Sequence, residues 1–162
     1  MTVLVLGFDP GSATTGYGVV EGQGTRLYHR GHGAIRTPAG QPFHHRLHTI
    51  FREASALIAH HQPEAVAIEK LFFSQNVTSA ISVSQARGVI AVAVAQAGCP
   101  ISEFSPLEVK NAVVGYGKAD KRQVQEMVRI LLNLDEYPKP DDAADALAVA
   151  ICQIHAGKRA LT

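Results

Sequence analysis

The chain has 162 residues, 46% of them apolar and 18% charged, with a formal net charge of +1. That balance suits one soluble, globular domain and argues against a disordered or low-complexity chain. A chain of this size buries about 68–70% of its unfolded surface, enough for a core without disulfides or structural metal.

Residues 3–9 and 16–21 read as two strands joined by the segment PGSATT, and a third strand runs from Arg26 to Ile35. Three strands with short joints form an antiparallel meander. The pattern then changes. Phe43, Leu47, Ile50, Phe51, Ala54, Leu57 and Ile58 recur at spacings of three and four, one face of an amphipathic helix that ends before Pro63. EAVAIE, residues 64–69, is short, apolar and β-branched, so it reads as a buried strand. Ser79 to Ala97 is an Ala/Val-rich helix stopped by Gly98 and Pro100. Ile101 to Phe104 is a brief strand. Ser105-Pro106-Leu107-Glu108 opens the next helix with a capping box and a proline at its first position. Asp120 with Gln123 repeats that device, and Val124, Met127, Val128 and Leu131 give the buried stripe. A last helix follows Pro140. The order implies an α/β fold whose mixed sheet is covered on both faces by helices. Residues from about 156 to 162 are expected to form a tail that is either flexible or in contact with DNA.

Three further features set expectations. Cys99 and Cys152 lack metal-type spacing and read as small buried residues in a reducing compartment. The apolar run Val89–Ala97 falls short of the roughly 20 residues that span a bilayer, and no basic leader precedes the first strand, so a cytoplasmic protein is expected. Charge is unevenly placed. Arg26, Arg30, Arg36, Arg46 and Arg52 face the single acid Glu53, and Lys110, Lys118, Lys121, Arg122 and Arg129 form a second basic group. Such groups suit a surface that tracks phosphates.

Acids mark the chemistry. Asp9 ends the first strand and Glu69 the fourth, and central strands of such a sheet deliver their ends to a common crevice. The last helix adds Asp141, Asp142 and Asp145. Helical spacing allows either Asp142 or Asp141 to share a face with Asp145, and Asp141 also suits a cap. Each acid has a plain alternative, since Asp-Pro-Gly makes a good turn and first-turn acids suit the helix dipole. Convergence changes the balance. Four carboxylates about 6 Å apart repel by roughly 3 kcal/mol per pair at an effective dielectric near 20. The total, of the order of 15 kcal/mol, rivals the whole stability of a domain. Such a cluster binds cations or keeps protons, and oxygen ligands without Cys or His point to Mg²⁺ or Mn²⁺.

GFDPGSATTGYGVV, AIEKLFF, SQARGVI, VKNAVVGYGKADKRQVQEMV and DDAADALAVAI together resemble the RuvC Holliday-junction resolvases, in order and over nearly the whole chain. The resemblance implies a ribonuclease H-like fold with a five-stranded mixed sheet. It implies a homodimeric Mg²⁺-dependent endonuclease that nicks four-way DNA junctions symmetrically with two metal ions per site, usually alongside a branch-migration motor. By motif position, Asp9, Glu69, Asp142 and Asp145 match the metal-binding catalytic acids, which leaves Asp141 as an extra acid. Lys110 and Lys121 match lysines that serve DNA binding or catalysis, and Phe72 an aromatic that stacks on junction bases. Phe73, Gln75, Asn76, Lys118 and Arg122 are further expected DNA contacts, and the helix from Ser79 matches a dimer-forming element. Three other readings are weighed: an actin- or sugar-kinase-like phosphotransferase, a nuclease of RNA–DNA hybrids, and a non-catalytic binder of branched nucleic acid. The first needs a second domain and a cleft between the two. The lysine segment and the dimer-type helix disfavour the second, and the complete acid set disfavours the third.

Overall fold

The structure, a computed structural model, describes residues 1–70 and 77–160, without the side chains of 158–160. β1 (Thr2–Asp9), β2 (Thr14–Gln23) and β3 (Arg26–Arg36) form the antiparallel meander. β4 (Ala65–Glu69) adds to the other side of β1 in parallel, and β5 (Ile101–Phe104) adds in parallel to β4. The resulting five-stranded mixed sheet has the order β3-β2-β1-β4-β5.

β2 starts at Thr14, two residues before the sequence-based boundary. Thr14 and Thr15 pair with Arg36 and Ile35 of β3, which draws them into the ladder. Buried Thr15 then clasps the shortened joint: its hydroxyl donates to the Gly11 carbonyl at 2.8 Å and accepts from the Gly11 N–H at 3.2 Å.

Alternation along the strands builds two cores. Leu6, Phe8, Val19, Val66 and Ile68 face α1 (Phe43–His61) and α2 (Val77–Gln96), meeting Ile50, Ile58 and Ile90. Val5, Val20 and Ala67 face α3 (Pro106–Val113), α4 (Lys121–Leu131) and α5 (Asp141–Ala160), meeting Val109, Val128, Leu147 and Ile151. Both expected capping boxes form, at Ser105/Glu108 and Asp120/Gln123. Cys152 is buried, but Cys99 is only half-buried, and no disulfide joins them.

Two helices differ from expectation in extent. α5 continues to Ala160, through most of the expected tail. α2 begins at Val77, and its 20 residues are long and apolar enough to cross a membrane by length and composition. The apolar run read from sequence was shorter because Ser82, Ser84, Gln85 and Arg87 interrupt it. The helix instead docks a stripe of Ala80, Ala86, Ile90, Ala93 and Val94 into the core, and Arg87 pairs with Glu103 at the sheet edge, 2.6 Å away.

α5 lies unusually close to the sheet. Ala143, Ala144, Ala146 and Ala148 are buried on it. A Cβ on Gly7 would collide with the Ala146 carbonyl, and one on Gly16 with the Asp142 carbonyl. Absent side chains thus set how deep the acid-bearing helix sits.

Candidate active site

Strand parity aims the first two acids. Val5, Gly7 and Ala67 face α5, so Asp9 and Glu69, each two residues further along, are directed to the same side. Asp9 pairs across the ladder with Gly16, the residue on which the Asp142 backbone rests. The register therefore sets Asp9 beneath the first turn of α5. Asp142 and Asp145, three residues apart, share the facing side of that turn. Carboxylate oxygens of Asp9, Asp142 and Asp145 all lie within 4.8 Å of one another.

Crowding and burial shift these acids. Burial foremost, then the charges of Asp145 and Asp142, push Asp9 up to about 8. Asp145 is also raised, by burial above all, with the Lys121 ammonium opposing. Glu69 is raised by burial and by Asp145, against the pull of Lys110. Of the four acids expected to crowd together, three do so, and a proton held on Asp9 or a bound cation would relieve their burial and mutual repulsion. Three convergent anionic oxygens, with no Cys or His in the set among the described residues, fit a hard divalent cation.

Glu69 stands outside that three-acid set. It lines an adjoining cleft of about 280 Å³ with Asp145, Asp120, Lys110 and Lys121. Lys110 reaches it from α3. Lys121, the first residue of α4, places Nζ 3.6 Å from Asp141 Oδ2 and 3.8 Å from Asp145 Oδ2, and these acids raise its pKa, Asp145 most. Lys118 is exposed in the α3–α4 connection and is not part of the cleft lining. Arg122 is directed elsewhere, its guanidinium 4.5 Å from the Tyr137 ring centroid. Phe72, Phe73, Gln75 and Asn76 lie outside the described residues.

Sequence reasoning missed two kinds of residue here. Gln125 holds Asp141, and its signal was available as the position four after Lys121 on one helix face. Gly7 and Gly16 fall inside the expected strands, where glycine signals close backbone approach.

The mixed sheet, with acids at the ends of its central strands and on the helix across them, defines a ribonuclease H-like nuclease fold. A family model described as crossover junction endodeoxyribonuclease RuvC matches residues 5–153. RuvC of Heliobacterium modesticaldum is 57% identical over 153 residues, covering 94% of each chain. That of Desulfitobacterium hafniense is 55% identical, covering 94% of this chain and 93% of its own. Among solved structures, T. thermophilus RuvC in complex with a Holliday junction substrate superposes with a TM-score of 0.94 at 34% identity, over 98% of this chain and 96% of that one. The chain belongs to the RuvC family of crossover junction endodeoxyribonucleases, which are metal-dependent nucleases.

Proposed function

We propose that the chain is a homodimeric, Mg²⁺-dependent endonuclease that resolves four-way DNA junctions by paired symmetric nicks, in recombination and repair. One observation carries this reading. Asp9, Asp142 and Asp145 converge beside a lysine-walled cleft, in a chain that aligns nearly end to end with a junction-bound relative. Residues 1–162 act as one nuclease domain.

Asp9, Asp142 and Asp145, with Glu69 from the adjoining wall, would hold two Mg²⁺ ions, with Mn²⁺ as a substitute. Such ions, when bound, neutralise charge on the attacking and leaving oxygens of a phosphodiester under in-line hydrolysis. The protein supplies the rest. Asp9 would release to solvent, on taking up a cation, the proton that its crowded site favours. Lys121, at the mouth of the notch, offsets charge growing on the scissile phosphate. Lys110 balances Glu69 and meets the DNA backbone. Lys118 and Arg122, outside the cleft, suit phosphates of a flanking arm. Phe72 is assigned to stacking on an unpaired base, which is worth about 1–3 kcal/mol, and Phe73, Gln75 and Asn76 to contacts near it.

A second copy of the chain suits the outer face of α2. Val77, Ile81 and Val92 are more than half exposed there, and Gly88 on the same face leaves open space. Spacings of four, seven and four align them on one side. A branch-migration motor is the expected working partner, and the cytoplasm is where such a substrate arises.

The test is a synthetic four-way junction incubated with Mg²⁺. Paired, religatable nicks are expected, and none with Asp9→Asn. A gel shift without Mg²⁺ separates binding from cleavage. Equal cutting of junction and plain duplex would sink the reading.

A further inference from the structure

Of the two acids in the first turn of α5, Asp141 stands outside the three-carboxylate set. Its carboxylate is nonetheless held at both oxygens. Oδ1 accepts a hydrogen bond from Gln125 Nε2 at 3.2 Å, and Oδ2 lies 3.6 Å from Lys121 Nζ. Lys121 and Gln125 are four residues apart, so one face of α4 presents both groups to α5. Lys121 also reaches Asp145, at 3.8 Å. Two anions therefore flank one ammonium. They are not equivalent: the Asp145 side chain is 31% exposed and belongs to the notch, whereas that of Asp141 is 69% exposed and lies beside it. Once Asp145 serves a cation, less of its charge remains for Lys121. Asp141 has no such competing duty.

We propose that Asp141 is a positioning residue that holds the Lys121 ammonium over the mouth of the notch, with Gln125 fixing the Asp141 side chain. The proposal rests on the reading of Lys121 as the group that meets the scissile phosphate. The Lys121 side chain is 58% exposed on a flexible four-carbon stem, so its place over the notch needs an anchor. An exposed ion pair adds little to fold stability. The effect of this one is therefore felt in the cleavage step, where misplacing a catalytic group slows the reaction.

The experiment uses the full chain and a synthetic four-way junction. Single-turnover cleavage is followed at saturating enzyme in Mg²⁺, and junction affinity is measured separately by gel shift in Ca²⁺. Asp141→Asn is expected to slow cleavage about fivefold while junction affinity stays within about twofold, with unchanged melting. Asp141→Glu should recover most of the rate, and Gln125→Ala should lose about twofold. In a Lys121→Met background, Asp141→Asn should cost nothing more, because its partner is gone. Without metal or DNA, ¹⁵N relaxation of the Lys121 ammonium should report greater mobility in Asp141→Asn. A wild-type rate for Asp141→Asn, beside an impaired Lys121→Met, overturns this proposal alone. So does a loss that persists undiminished in the Lys121→Met background. A wild-type rate for Lys121→Met itself overturns the reading of Lys121 as well.

Discussion

α5 and α2 are both 20-residue helices of largely apolar sequence, and they use it oppositely. From Ala143 to Ile151, every apolar residue of α5 is at most 1% exposed. On α2, Val77, Ile81 and Val92 are 62%, 55% and 53% exposed. The difference lies in what each meets. α5 settles onto strands whose Gly7, Gly16 and Gly18 let its backbone approach. α2 has one buried stripe, and its opposite side is left to water or to another chain. The lesson is a division of labour: close packing where carboxylates are held in place, and spare apolar surface on the outer face of α2, where we propose that a second copy adds.

Substitutions in the two regions should therefore fail differently. The largest effect belongs to Asp9→Asn, which should lower junction cleavage at least about a thousandfold, roughly 4 kcal/mol in the barrier. A single-turnover assay measures it. Gly16→Val comes next. Its side chain would strike the Asp142 carbonyl, so destabilisation of about 3 kcal/mol and a melting temperature lower by roughly 6–12 °C are expected, with cleavage impaired in the folded fraction. Normal melting would mean that glycine does not set the seat of α5.

A third test uses pH. Asp9 titrates near 8 in the folded protein against an ordinary 3.8, so the folded state keeps a proton that the unfolded chain releases. The stability this group contributes is complete below about pH 4 and is lost as pH rises toward 8. With EDTA present, Asp9→Asn should remove much of that fall and have the higher melting temperature of the two proteins near pH 8. The same substitution thus stabilises the fold and abolishes the chemistry. Identical pH slopes for the two proteins would refute the crowding argument. The smallest effect on the fold is expected on the other helix. Ile81→Glu should weaken dimerisation at least about tenfold by sedimentation, equivalent to roughly 1.4 kcal/mol. Intrinsic stability should stay within about 0.5 kcal/mol, as for other exposed sites. An unchanged dimer would move the interface away from α2.

Particular residues show why some of this was legible in advance. Asp9 and Glu69 could be found because strand ends and parity are local: the alternation that buries Val5 and Ala67 also aims the acids. The capping boxes at Ser105 and Asp120 were equally readable, since each closes within one turn. The choice between Asp141 and Asp142 was not open to periodicity, because both share a face with Asp145. Arg122 illustrates the same limit. Its neighbour Lys121 faces the cleft, but adjacent helical residues point in different directions, and Tyr137 takes the Arg122 guanidinium.

By itself, the order of residues determined where strands and helices form, which acids end strands, and that crowded carboxylates need a cation or a proton. Motif resemblance, not periodicity, singled out Asp142 as the partner of Asp145, and only the tertiary structure decided that Glu69 stands in the adjoining wall and that Lys121 is shared between Asp141 and Asp145. The physical reason is that the rotation and depth of α5 over the sheet are set by backbone contacts with glycines far away in the chain. A missing side chain leaves no mark on the local pattern of the helix it admits.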